Sequence, residues 1–125
     1  MSSIIVLASP RVDQWYEFAD TLHAALGLEI AKIHTGAETL DAVRGKKVMA
    51  IVVDASLEDI TGVALVKEVL QINAMIHIAM ASGQPEEDFH EETEGLGLLM
   101  QLPPTPDAAA ADRLADSLRR LGAVS

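Results

Sequence analysis

One carboxylate stands where an α/β chain could do chemistry. Asp54 follows directly on Val48-Met49-Ala50-Ile51-Val52-Val53, the strongest strand signal in the sequence. A carboxylate there can act as a nucleophile, ligate a divalent cation, or accept N–H bonds from the turn that follows. The residues placed to assist it are those just after the other strands: Ala8 and Ser9, His34, Ser82 and Leu102. None of them is acidic and none carries a permanent positive charge. Phosphoryl or metal chemistry on Asp54 would call for both. Turn capping is therefore the leading role for Asp54, and Ser82-Gly83 is ordinary turn chemistry. The histidines (His23, His34, His77 and His90) stand at no metal-ligand spacing with one another or with a carboxylate. His77 fits a sheet position and His90, among acids, a solvated one. Gly95-x-Gly97 is too short for a dinucleotide-binding loop and precedes a strand. No Ser/His/Asp set emerges from the spacing.

The most unusual local feature is acidic. Glu86-Glu87-Asp88 and Glu91-Glu92-Glu94 crowd one short stretch. Such a cluster serves solubility, or it forms a docking surface for a basic partner through electrostatic steering.

The chain as a whole is acidic too, with nineteen acids against nine bases and a formal net charge of −10. Most of that surface would repel nucleic acid and anionic membranes, so neither is an expected partner. Cysteine is absent, which excludes disulfides, zinc–thiolate sites and thiol catalysis in this chain. No signal-peptide pattern is present, and no apolar run approaches the ~20 residues that span a bilayer. A soluble cytoplasmic protein is the expectation. Half of the residues are hydrophobic and only 3% are aromatic. One aliphatic core, and so one domain over residues 1–125, is expected.

Positioning falls to alternating strands and helices. Ile4–Ala8 is a continuous apolar run, as in a strand buried on both faces. From Arg11 the period changes: Trp15, Phe18, Ala19, Leu22 and Leu26 mark one face of a helix that Gly27 ends. Leu28–His34 reads as a strand, and Thr35–Gly45 as a short helix built on Ala37, Leu40 and Val43. After the Asp54 strand and a loop, Gly62–Asn73 is helical, with Leu65, Val66, Val69 and Leu70 facing inward. Met75–Ala81 is a fourth strand, Pro85–Glu94 a short acidic helix, and Leu98–Gln101 a fifth strand stopped by Pro103-Pro104. Thr105 caps a last helix with Pro106 in its first turn and Leu114, Leu118 and Leu121 as its buried stripe. Five strand–helix units imply a doubly wound parallel sheet with helices on both faces. Ligands in such folds bind beyond the carboxyl ends of the strands.

Val52-Val53-Asp54-Ala55-Ser56-Leu57, with Gly62 eight residues after the Asp, resembles the phosphoacceptor segment of response-regulator receiver domains. Gly95 through Leu102-Pro103 resembles that family's fifth-strand segment. The resemblance runs over nearly the whole chain. It implies receiver (flavodoxin-like) architecture with strand order 2-1-3-4-5. The departures are the informative part. Ala8 and Ser9 stand where receivers carry the acidic pair that helps hold Mg²⁺. Leu102 stands in place of the lysine before the proline, and Leu99 in place of an aromatic switch residue. Either Ser82 or Ala81 takes the hydroxyl position after the fourth strand. One aspartate without a second acid is a poor Mg²⁺ site, and without the lysine it lacks the fixed charge beside a phosphoryl group.

The expectation is a pseudo-receiver: a non-enzymatic signal-transduction module that acts by protein–protein interaction, with no cofactor and no conventional phosphorylation of Asp54. Its partner would be a basic signalling protein, a fused domain or a second copy. The contact would lie on the fourth helix (Glu86, Glu87, Asp88, Glu91, Glu92, Glu94), the open sheet edge and the last helix, Asp107–Leu121. Two alternatives stand beside it. One is a working receiver of a two-component phosphorelay, using Asp54 and Mg²⁺. The other is a small-ligand binder at a cleft emptied by Ala8, Ser9 and Leu102.

Overall fold

A computed structural model describes residues 3–124. Strands β1 (Ile4–Ala8), β2 (Glu29–Ile33), β3 (Val48–Asp54), β4 (His77–Ala81) and β5 (Gln101–Leu102) form one sheet of order β2-β1-β3-β4-β5. Every pairing in it is parallel. The connections are helical: α1 (Tyr16–Leu26), α2 (Gly36–Gly45), α3 (Gly62–Ile72) and α4 (Glu86–Glu92), with α5 (Ala108–Arg120) closing the chain. This is the expected doubly wound sheet.

The strand period of two sorts the core into two layers. Ile5, Leu7, Ala50, Val52, Ala79, Ala81 and Leu102 face α1 and α5, where Trp15, Phe18, Leu22, Leu114 and Leu118 cover them. Val6, Ala8, Ile51, Val53, Ile78 and Met80 face the other way, onto Val43, Leu65, Val66, Val69 and Phe89 of α2, α3 and α4. Central strands β1 and β3 are buried along nearly their whole length, whereas edge strand β2 is nowhere fully buried. No helix among the described residues is long and apolar enough to cross a membrane.

Local chemistry sets the element ends. Gly27 adopts φ +68° and its N–H donates to the His23 carbonyl, closing α1 as expected. Thr35 caps α2: its Oγ accepts from the Glu38 amide at 3.1 Å, and its hydroxyl donates to Glu38 Oε1 at 3.1 Å. Thr61 caps α3 by accepting from the Ala64 amide at 3.2 Å.

Five expectations are corrected. The helix expected from Arg11 opens as a 3₁₀ turn, Val12–Trp15, with no side-chain cap. The Ser9 hydroxyl donates to Asp54 and accepts from the Arg11 amide, ahead of that turn. In α2 the buried positions are Gly36, Thr39 and Val43, while Ala37 is exposed. The fifth strand is Gln101–Leu102, not Leu98–Gln101: the chain turns through left-handed Gly95 and Gly97, and Leu99 and Met100 reach β4 by single backbone bonds before the ladder starts. The last helix is capped by Asp107, which accepts from the Ala110 amide at 2.9 Å, not by Thr105; Leu121 lies past its end and is exposed.

Candidate functional site

Strand parity brings the first site residues together. Continuing each alternation one step past Leu7 and Val52 puts Ser9 and Asp54 on the same side of the sheet, the side of α1 and α5. Both are buried, Ser9 completely and Asp54 to 5% exposure. Ser9 Oγ donates to Asp54 Oδ2 at 2.7 Å. The Ser56 amide donates to Oδ1 at 3.1 Å. Arg11 Nη2 donates to Oδ2 at 3.3 Å and also to the Pro104 carbonyl at 3.2 Å. The Arg11 amide in turn donates to Ser9 Oγ at 3.0 Å. Both carboxylate oxygens of Asp54 are thus engaged, by one hydroxyl, one guanidinium and one turn N–H.

The turn after Asp54 is tightly built. Ser56 and Thr61 form an antiparallel bridge, Leu57 N–H donates to the Ile60 carbonyl at 3.1 Å, and Gly62 N–H donates to the Ala55 carbonyl at 2.8 Å. A Cβ on Gly62 would lie 2.6 Å from the Asp54 carbonyl oxygen, so only glycine lets α3 start this close to β3. Asp59 extends from the same loop to the start of α2, accepting from the Gly36 and Ala37 amides at 2.9 and 3.0 Å. Those two N–H bonds hold its carboxyl below the ordinary carboxylate value.

The donor set does not suit the Mg²⁺ that this fold implies. Mg²⁺ wants near-octahedral oxygen ligands with carboxylates among them. Here a single carboxylate is present, its oxygens already accept three bonds, and a guanidinium lies 3.3 Å from one of them. Among the described residues no group of three or more His, Asp or Glu side chains could hold a metal ion.

The other expected positions bring no side-chain hydrogen bond to Asp54. Ala8 packs on the opposite face, in the core with Val6 and Val53. Leu102 is 1% exposed and belongs to the core under α1 and α5. Ala8, Ser9 and Leu102 are therefore packed and do not line an opening. Ala81 is the residue paired with Asp54 across the β3–β4 ladder. Ser82 follows it, and its Oγ accepts from the Gln84 amide at 3.2 Å, a turn contact. Leu99 is half-buried ahead of β5, its N–H donating to the Ile78 carbonyl at 2.8 Å. His34 lies 3.5 Å from Asp13 on the surface.

Arg11 is the residue that sequence reasoning missed. Its signal was available: it is the one base between β1 and α1, two residues after Ser9. The resemblance points instead to the position of Leu102 for a positive charge.

The acidic cluster forms a second region. Glu86, Glu87, Asp88, Glu91, Glu92 and Glu94 are all exposed, and Phe89 alone, 3% exposed, pins α4 to the core. Glu86 lies 3.5 Å from His90, and Glu92 accepts from Gln84 Nε2 at 2.8 Å. Beside α4 runs an open groove of about 540 Å³ lined by Phe89, His90, Glu94, Leu98, Leu99 and Met100. It shares His90, Met100 and Gln101 with a second depression of about 380 Å³ that reaches Arg113 of α5. An apolar floor with an acidic wall thus follows the open edge of the sheet.

No protein-family model matches this chain, and no curated protein matches it significantly. Solved structures do. A CheY-like response regulator receiver domain protein from Methanospirillum hungatei superposes with TM-score 0.80 at 15% identity, over 98% of this chain and 95% of its own. The chemotaxis response regulator CheY4 of Vibrio cholerae gives TM-score 0.80 at 18% identity, over 97% and 99%. The REC domain of AraT, a response regulator from Geobacillus stearothermophilus, gives 0.82 at 19% identity, over 98% and 97%. The chain has the receiver fold. At these identities the likeness is one of fold, and the site must be read from its own residues.

Proposed function

We propose that this protein is a receiver-like signalling module that works by binding another protein, with Asp54 serving as a structural carboxylate and not as a phosphoacceptor. The observation that carries this is the engagement of both Asp54 carboxylate oxygens by Ser9, Arg11 and Ser56. A nucleophilic carboxylate must present a free oxygen to the phosphorus in line with the leaving group, with charge neutralised around it. Here Oδ2 is tied to two donors and Oδ1 to the turn, in a site whose donors do not suit Mg²⁺.

The interaction surface is the sheet edge between α4 and α5. Its occupant is a protein segment of basic and apolar character. Leu98, Leu99 and Met100 offer the apolar contact, and the acids of α4 steer a positive partner to it. Glu87, Asp88, Glu91 and Glu94 make no hydrogen bond or ion pair among the described residues, which leaves them available to such a partner.

Intact-mass spectrometry after incubation with acetyl phosphate and Mg²⁺, beside an Asp54→Asn control, tests the first half. The expected result is no phosphoryl adduct on either protein. Stoichiometric labelling of the wild type that vanishes in Asp54→Asn would establish a working phosphoacceptor and overturn the proposal.

A further inference from the structure

We propose that Arg11 is a built-in counter-ion that takes the place of a metal over Asp54 and couples it to the β5–α5 loop. The inference rests on the proposed structural role of Asp54 and goes beyond it by assigning a conformational link.

The geometry is specific. A single nitrogen, Nη2, donates to the Asp54 carboxylate at 3.3 Å and to the Pro104 carbonyl at 3.2 Å. Those acceptors are fifty residues apart in sequence and belong to loops on opposite sides of β4 in the sheet order. The Arg11 amide, bonded to Ser9 Oγ, fixes the base of the side chain at the end of β1. One residue therefore ties together the loops that follow β1, β3 and β5. Asp54 is almost sealed from solvent, with 8% of its side chain exposed, while 44% of the Arg11 side chain is exposed. Among the described residues the carboxylate thus has one nearby cation, Arg11.

The Pro104 contact matters because this loop has few other holds. Pro103, Pro104 and Pro106 have no N–H to donate, so the loop's own backbone can form few bonds. The Arg11 bond to the Pro104 carbonyl fastens the entry to α5, the helix beside the proposed docking edge. Arg11 accordingly acts as a positioning residue. It holds the loop in one arrangement without an ion whose arrival or departure could change it.

Both bonds come from one nitrogen, so the link does not require the two-pronged guanidinium. Lysine, a point charge with three donors, can replace it in part; alanine cannot. The test combines amide hydrogen exchange with a double-mutant cycle. In Arg11→Ala the Ala110 and Ala111 amides, which donate to the Asp107 carboxylate and carbonyl at the entry to α5, should exchange roughly tenfold faster, and in Arg11→Lys most of that protection should return. The folding equilibria of wild type, Arg11→Ala, Asp54→Asn and the double variant should show a coupling of roughly fivefold to tenfold between the two positions. Unchanged exchange at Ala110 and Ala111 in Arg11→Ala, or additivity within about twofold, would overturn the assignment. Phosphodonor labelling reads separately: an adduct on wild-type Asp54 refutes the proposed function, whereas loop exchange and coupling decide the role of Arg11.

Discussion

Ser9→Ala removes a hydrogen bond to a buried charge together with the bond that Ser9 Oγ accepts from the Arg11 amide. The hydroxyl is fully buried and lies 2.7 Å from Asp54 Oδ2. A bond to a charged acceptor contributes ~1.5–3 kcal/mol, and the carboxylate left behind keeps its desolvation cost. Serine and alanine are close in volume, so no cavity term of consequence is added. Arg11 remains bonded to Oδ2, and its half-exposed side chain lets water approach, which keeps the loss below the upper end. The expected destabilisation is ~2 kcal/mol. Unfolding entropy of ~2.1 cal/mol/K per residue gives ~0.26 kcal/mol/K for 125 residues, so Tm should fall by ~8 °C. Urea denaturation followed by the fluorescence of Trp15 measures this, since Trp15 is the single tryptophan and is fully buried. The midpoint should drop with the slope unchanged. A loss under ~0.5 kcal/mol, the range of ordinary surface substitutions, would refute the claim that Ser9 supports a buried charged Asp54.

Gly62→Ala should cost ~1–3 kcal/mol in the same assay, because its Cβ would press on the Asp54 carbonyl and the Ala55 backbone and push α3 off β3; a neutral or stabilising result would contradict that packing. Asp59 supplies a pH dependence. Its folded pKa lies below the ordinary 3.8, so its contribution is present above the unfolded value and is lost as pH falls through the lower folded one. Asp59→Asn should therefore be less stable than wild type at neutral pH, with the gap closing below about pH 4 in melting curves. Ser9→Asp sets a second acid against Asp54 without a cation for it and should destabilise by ~3 kcal/mol or more. Millimolar Mg²⁺ should recover part of that loss and leave wild-type melting unmoved. Charge reversal at Glu87 and Glu91 should weaken capture of the protein's partner with a steep salt dependence, and unchanged binding would remove the acidic-face role.

The architecture was legible because its signal is collective. Ile4–Ala8 and Val48–Val53 read as buried strands, and the change of period after each one marked a helix. Sheet order came from the resemblance and not from the apolar pattern, which carries no such information. Ends were harder, for local reasons. The 3₁₀ opening of α1 has no side-chain cap to announce it. The resemblance marks Ser9 as the place of a lost acid, yet its hydroxyl is the closest donor to Asp54, 45 residues away. Arg11 stands as a lone base after β1, but its reach to Asp54 and Pro104 comes only from folding, as does that of Asp59 to α2. The exposure of the α4 acids was legible, because six acids in nine residues leave few faces to bury.

The most direct measurement of the central claim is a ¹H–¹⁵N NMR titration of the wild type with Mg²⁺, alone and with beryllium fluoride as a mimic of an acyl phosphate. The account predicts no saturable shifts at the amides of Ser9, Ala55, Ser56 and Ser82, because Asp54 is already held by Ser9, Arg11 and Ser56. Saturable shifts at those amides that are absent in Asp54→Asn would mean that the carboxylate is free to take a metal and a phosphoryl group, and would contradict it.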